Sequence, residues 1–219
     1  MRLNVLGAGP AYTDRPDAVG SAYLVGNQGT HILLDLGQGA FPRLFPHVDP
    51  TAVDAIVVSH LHPDHFIDLV PLRHYLRYEF EPPRRVRVIG PRDLAARLDA
   101  LHAEPGFAAA ALDCEVMGAE ERRIGSLTLE ARLVTHTAES YAVRVGAPGG
   151  TGLVYSGDCG RALDLAPLIR PGDTLLTEVS FGPGPVPAGV PHLDGAAVGE
   201  LAAMTGPGRV LLTHVLAGR

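Results

Sequence analysis

Apolar and polar positions along this chain change period several times, and each change marks an element. Positions 3–6, 22–25 and 31–36 are short apolar runs bounded by Gly, Pro or Asn, the pattern of strands. Gly26-Asn27-Gln28-Gly29 between the second and third predicts a hairpin-like turn. Gly7-Ala8-Gly9-Pro10 turns the chain after the first strand, without the third glycine and helical pattern of a dinucleotide fingerprint. Positions 40–47 predict a short helix ended by Pro50, and Val53-Asp54-Ala55-Ile56-Val57-Val58 predicts a buried strand. Phe66, Leu69, Val70, Leu72, Arg73, Leu76 and Arg77 then recur at helical spacing, with a kink expected at Pro71. A strand over 86–89 and a helix over 91–103 follow, the helix with Leu94, Leu98 and Leu101 on one face.

The second half repeats the theme. Positions 127–135 alternate, which puts Leu127, Leu129, Ala131 and Leu133 on one face. Strands are expected at 141–145, 152–156, 174–179 and 209–213, and a helix at 161–169 closed by Pro171-Gly172. Positions 182–189 carry too much Pro and Gly to be an element. Asp194 caps a helix running to Met204, with Ala197, Val198 and Leu201 inward. Strands alternating with helices in both halves give the class α/β. Periodicity does not choose among α/β folds.

Composition narrows the picture. The 219 residues allow one domain of generous size, and with 46% hydrophobic residues, 5% aromatics and no Trp the core is built mainly from Ala, Val, Leu and Ile. A net charge of -6, from 24 acidic and 18 basic residues, does not suggest a protein that coats nucleic acid. Bound divalent cations would add positive charge that this count omits. All 18 basic residues are arginine, a side chain suited to bidentate phosphate contacts. The basic stretch Arg84-Arg85-Val86-Arg87 reads as a solvated rim leading into a strand. Cys114 and Cys159 lie far apart, which is no disulfide framework. The N-terminus lacks the apolar segment of a signal peptide, and no run approaches the ~20 apolar residues of a membrane span. A cytoplasmic protein is expected.

The chemistry concentrates in Ser59-His60-Leu61-His62-Pro63-Asp64-His65-Phe66, directly after the 53–58 strand. His60 and His62 are two apart and share a side in extended backbone. Pro63 then turns the chain and brings in Asp64 and His65. Imidazole and carboxylate suit zinc, iron and manganese, and a solvated loop has no need of so many titratable rings. His31, His47, His74 and His102 have no ligand context and read as structural or surface residues.

His60-x-His62-x-Asp64-His65 resembles the signature of the metallo-β-lactamase superfamily. Further resemblances follow in order, each at the end of an apolar run: Asp35 in Leu33-Leu34-Asp35, His136 in Thr135-His136-Thr137, Asp158 in Ser156-Gly157-Asp158, and His214 in Leu212-Thr213-His214. The resemblance implies a four-layer αββα sandwich, with residues 1–219 as one domain of two pseudo-similar halves. It also implies two metal ions, zinc as first choice with manganese or iron as alternatives. His60, His62 and His136 would hold one, Asp64, His65 and His214 the other, and Asp158 would bridge, with Asp35 bracing the ligand loop. A bridging hydroxide would be the nucleophile.

Leu176-Thr177-Glu178-Val179-Ser180-Phe181 and Val190-Pro191-His192-Leu193-Asp194 resemble motifs of the tRNase Z-like branch. The likeness assigns catalysis to Asp64, His192 and Glu178, with His192 as general acid and Glu178 its orienting partner; a plainer role for His192 and Asp194 is to cap the helix that follows. Three departures stand out. Only 21 residues separate His136 from Asp158, the interval where tRNA-binding relatives carry an arm; Cys159 stands where relatives usually have Thr, as a small packed residue or a thiol near a metal; and the chain ends five residues after His214, as a shortened form or one lacking a tail that shapes the pocket. The expected substrate is therefore a small phosphodiester such as a cyclic nucleotide, with no stable nucleic-acid complex, no membrane partner and a homodimer left open. The alternatives are a metallo-hydrolase of lactones, thioesters or other carbon esters, a tRNase Z-type endoribonuclease, and a non-enzymatic metal or redox module.

Overall fold

In β3 (Thr30–Leu34), Leu33 packs to one side while Ile32 and Leu34 pack to the other, and all three are buried. A strand buried on both faces reads as a continuous apolar run and must lie between two layers. The computed structural model, which describes residues 1–216, shows those layers. One sheet joins β1 (Arg2–Gly7), β2 (Ala22–Asn27), β3, β4 (Ala55–Val57), β5 (Val86–Gly90) and β6 (Leu112–Val116) in chain order. The other joins β7 (Arg122–Ile124), β8 (Leu127–Leu133), β9 (Tyr141–Gly146), β10 (Leu153–Tyr155), β11 (Thr174–Glu178) and β12 (Arg209–Thr213), also in chain order. Both are mixed: β3 to β6 are parallel neighbours, as are β10 to β12, and the remaining pairs are antiparallel.

Three apolar clusters fill the spaces between layers. Leu24, Leu33, Ile56 and Val88 meet Leu44 of α1 (Phe41–Leu44), Phe66 of α2 (Pro63–Phe66), Leu69, Leu72 and Leu76 of α3 (Leu69–Tyr78), and Leu94 and Leu98 of α4 (Leu94–His102). Tyr23, Val25, Ile32, Leu34 and Val57 face Leu127, Leu129, Val143, Val145 and Tyr155 between the sheets. Ala142, Val154 and Leu175 meet Leu165 and Leu168 of a 3₁₀ helix (Ala162–Leu168), and Val198 and Leu201 of α5 (Gly195–Thr205). The layers run helix, sheet, sheet, helix, as the resemblance implies. Among the described residues no helix is long and apolar enough to cross a membrane.

Several expectations need correction. Pro71 sits in the first turn of α3, where its missing N–H leaves no helical bond broken, so it does not kink the chain. The 161–169 segment forms the 3₁₀ helix with Pro167 inside it. Leu133 is 61% exposed, although its alternation partners Leu127, Leu129 and Ala131 are buried. Leu101 is 52% exposed, while the next residue, His102, is the one that stacks on Phe107 at the end of α4. β6 and β7 carry no clear signal: β6 has a single buried residue, and β7 is two arginines followed by one buried isoleucine. The basic stretch, by contrast, is the expected rim: Arg84 and Arg85 are exposed beside β5, with Arg85 paired to Asp113 and Arg87 to Glu115. The end of the chain beyond Leu216 lies outside the described residues.

Candidate metal centre

The residues of interest follow the C-terminal ends of strands at one end of the sandwich. Asp35 follows β3, the 59–65 loop follows β4, His136 follows β8, Asp158 follows β10, Glu178 ends β11 and His214 follows β12. Two of these ends are conformationally special. Asp35 and His214 adopt φ of 57° and 58°, the left-handed region that few side chains enter. Gly157, at φ 56°, brings Asp158 close to the first ligand loop; a Cβ there would lie 2.8 Å from that of Ser59.

The seven expected ligand positions converge into two groups that share Asp158. His60, His62, His136 and Asp158 form one, and Asp64, His65, Asp158 and His214 the other; within each, one donor atom per residue lies within 4.8 Å of the rest. Asp158 Oδ2 faces His60 Nε2 at 3.8 Å and His136 Nε2 at 3.7 Å, while its Oδ1 faces His65 Nε2 at 3.3 Å and His214 Nε2 at 3.4 Å. One carboxylate thus serves both groups, an oxygen to each. His136 Nε2 and His62 Nδ1 are 3.2 Å apart, and Asp64 Oδ2 is 3.0 Å from His214 Nε2.

The far nitrogen of four rings is held. His65 Nδ1 meets Asp35 Oδ2 at 2.7 Å, His136 Nδ1 the carbonyl of Pro191 at 2.8 Å, His214 Nδ1 Ser180 Oγ at 3.0 Å, and His60 Nδ1 Ser59 Oγ at 3.1 Å. Such partners fix ring orientation and leave Nε2 to serve as ligand. Asp35 is the hub beneath: its carboxylate also accepts from the N–H and hydroxyl of Ser59 and from Tyr155 OH. Across the sheets, Tyr23 OH and Thr213 Oγ1 are 2.5 Å apart, which ties β2 to the strand end that carries His214.

Whether these residues fit a cation can be judged from their orphaned atoms. Among the described residues seven buried side-chain polar atoms lack a hydrogen-bond partner, and four of them, His60 Nε2, Asp64 Oδ1, His65 Nε2 and Asp158 Oδ1, point into this one place. Leaving a buried polar group unsatisfied costs roughly 1–3 kcal/mol, so four at one point mark donors arranged for something they bind. The protonation states of four of these ligand groups agree. Burial and the neighbouring His65 hold the His60 imidazole well below its ordinary range, and burial and His136 lower His62. Burial alone would raise Asp158, but His65 and His214 outweigh it and hold the carboxylate well below its usual range; Asp64 is lowered the same way by His214 and His65. Neutral rings and ionised carboxylates are the ligand forms of zinc, iron and manganese. At His65 burial favours the neutral ring, yet Asp158 and Asp35 outweigh it and raise the pKa well above 6.5.

His192 and Glu178 form a second arrangement beside the first. His192 Nδ1 is 2.8 Å from Glu178 Oε1, and its ring lies 4.9 Å from that of His136 and 6.1 Å from that of His214. Glu178 is wholly buried and also accepts from the N–H groups of Cys159, Ser180 and Leu193 and from Ser180 Oγ. Both its oxygens are occupied, so Glu178 positions groups rather than binding a cation. Burial would lower the His192 pKa, but the hydrogen bond and charge of Glu178 raise it overall. The helix cap is Asp194, whose side chain accepts from Ala197 N–H; His192 takes no part in it. Cys159 is buried with its thiol pushed up to about 12 by burial, and it packs as a small residue. Ser59, Ser180 and Tyr155 were not picked out from the sequence. The two serines adjoin or lie inside quoted motifs, but only the fold shows what they touch. A cavity of about 600 Å³ opens at His192, and one of about 270 Å³ lies beside His62.

Comparison with known proteins finds the same architecture. The family described as Beta-lactamase superfamily domain matches residues 30–215. The uncharacterized protein Rv1339 of Mycobacterium tuberculosis is 34% identical over 98% of this chain and 81% of its own length. The crystal structure of the metallo-β-lactamase fold protein YhfI from Bacillus subtilis superposes with a TM-score of 0.84 at 22% identity, over 99% of this chain and 87% of that one. The short form of human tRNase Z superposes with a TM-score of 0.77 at 20% identity, over 100% of this chain and 93% of that one.

Proposed function

The chain belongs to the β-lactamase superfamily as a metal-dependent hydrolase, and from that premise we propose that it uses two metal ions to hydrolyse a small phosphodiester such as a cyclic nucleotide. The observation that carries the substrate class is His192, held through Nδ1 by buried Glu178 with Nε2 left over, beside both ligand groups. An alkoxide leaving group needs a proton as its bond to phosphorus breaks, and an imidazole near neutral pKa supplies one. The likeness to tRNase Z points the same way, since that enzyme is named for cleaving an RNA phosphodiester.

In this reading His60, His62, His136 and Asp158 hold one cation and Asp64, His65, Asp158 and His214 the other. Divalent cations there supply Lewis-acid stabilisation of the phosphoryl oxygens and lower the pKa of a water toward about 7. The chain's own residues do the rest. Asp35, Ser59, Ser180 and the Pro191 carbonyl hold the rings, Glu178 aims His192, and His192 Nε2 delivers its proton to the departing oxygen. The interval from His136 to Asp158 is filled by the antiparallel pair β9 and β10, joined at Ala147-Pro148-Gly149-Gly150, which favours a small substrate over a folded RNA.

Removal of the His192 imidazole is the test. His192→Ala should lower kcat on a diester with an alkoxide leaving group by about 10²–10⁴-fold, the usual worth of general acid catalysis. The loss should shrink when the leaving group is a nitrophenolate, which departs without a proton, and metal content should not change. Equal losses on both would make His192 a phosphate-positioning residue. No loss on any phosphodiester, with lactone hydrolysis intact, would move the assignment to carbon esters.

A further inference from the structure

The cavity of about 600 Å³ that opens at His192 runs between the 3₁₀ helix and α5. Leu163, Val190, Ala197 and Met204 give it apolar walls. Ala197, Leu201 and Met204 are spaced i, i+4, i+7, so one stripe of α5 lines it. Glu200 adds a carboxylate that has no hydrogen-bond or ion-pair partner among the described residues. Clefts that bury a drug-sized ligand measure roughly 300–1,000 Å³. This groove falls within that range, and the cavity of about 270 Å³ beside His62 falls below it.

Building on the phosphodiesterase reading, we propose that this groove is the leaving-group subsite and takes the nucleoside portion of a cyclic nucleotide, with Glu200 accepting from the exocyclic amino group of its base. The group that receives the His192 proton is by definition the leaving oxygen, and His192 lines both the metal centre and the groove. In a cyclic nucleotide that oxygen belongs to the ribose, so ribose and base continue into the groove. Water's oxygen forms the new bond to phosphorus, the ribose O–P bond breaks, and the ribose oxygen takes the proton from His192. The water's own proton leaves to solvent, and the product is a nucleoside monophosphate. A carboxylate can only accept hydrogen bonds here, so it selects adenine, guanine or cytosine over a base without an amino group.

The test compares three substrates on the full chain reconstituted with zinc or manganese: 3′,5′-cyclic AMP, the cyclic phosphate of purine riboside, which lacks the amino group, and methyl p-nitrophenyl phosphate. Glu200→Ala should raise KM for cyclic AMP about fivefold, the worth of roughly 1 kcal/mol of hydrogen bonding. It should leave the purine riboside analogue unchanged. Ala197→Trp, which fills the groove, should raise KM for both cyclic nucleotides about tenfold or more. Methyl p-nitrophenyl phosphate should stay within about twofold for Glu200→Ala, since its nitrophenyl leaving group has no N–H to donate, while Ala197→Trp, which takes the space of that ring, should raise its KM as well. Cyclic AMP kinetics untouched by Glu200→Ala, an equal loss on all three substrates in that variant, or hydrolysis of the methyl ester without any of cyclic AMP would overturn the groove assignment alone. No hydrolysis of any phosphodiester would overturn both readings.

Discussion

Two buried carboxylates that bind nothing directly hold the site in place. Asp35 collects four hydrogen bonds and Glu178 five, each from N–H, hydroxyl or imidazole groups. An amide at either position would turn a donor toward other donors. Asp35→Asn keeps a residue that tolerates the left-handed backbone but loses acceptor capacity. It should cost about 1–3 kcal/mol of stability and weaken metal binding by about 10–100-fold, read by chemical denaturation and by chelator competition. Unchanged metal affinity would show that His65 needs no brace. The ligand positions were legible because three imidazoles and a carboxylate within six residues serve a cation and give a solvated loop nothing. Ser59, Ser180 and Tyr155 were not, because a hydroxyl's role depends on what the fold sets against it.

At the scale of elements, strands buried on both faces were easy to read and marginal ones were not. The apolar runs of β3, β4 and β10 stand out, while β6 and β7 alternate poorly at the edge of each sheet and carry charges that edge strands favour. Leu133 and Leu101 misled for a related reason: periodicity tells which residues share a face, not whether anything covers it at an element's end. At the opposite end of the second sheet from the site, Asp173 before β11 pairs with Arg144 of β9, with Nε to Oδ2 at 2.7 Å and both side chains buried. It also accepts from the N–H groups of Gly152 and Arg170. Burial would raise the Asp173 pKa, yet Arg144 and the N–H donors hold it below its ordinary value. A lowered folded pKa adds stability that is full above the unfolded value of about 3.9 and is lost as pH falls through the folded one. Asp173→Asn should therefore cost about 1–3 kcal/mol at neutral pH, the worth of the charged hydrogen bonds lost, leaving Arg144 with Glu130, 3.6 Å from its Nη1, as its remaining ion-pair partner. The gap between wild type and variant should close as the pH is taken below about 4. A gap that holds constant on acidification would remove the charged pair from the account. The β9–β10 hairpin makes a second prediction: lacking an arm, the protein should not process pre-tRNA 3′ ends at rates matching those on small diesters. Single-turnover assays on both substrates decide it, and comparable rates would show the inference from the short interval to be mistaken.

For the whole molecule, alternation of strands and helices reached the class α/β and no further; the motif order supplied the layers. The physical reason is that the active end is assembled from both sheets. Asp35, His60, His62, Asp64 and His65 come from the first, and His136, Asp158, Glu178 and His214 from the second. Local pattern locates each strand end but not that these ends face one another; residues 35 to 214 in fixed order do. The central claim is that this meeting point holds a metal pair through one shared carboxylate. Elemental analysis of protein purified without chelator and reconstituted with zinc, manganese or iron tests it most directly. The account predicts about two ions per chain, with a marked loss in Asp158→Ala, whose two oxygens face both groups; a content near zero with every metal, or one untouched by Asp158→Ala, would contradict it.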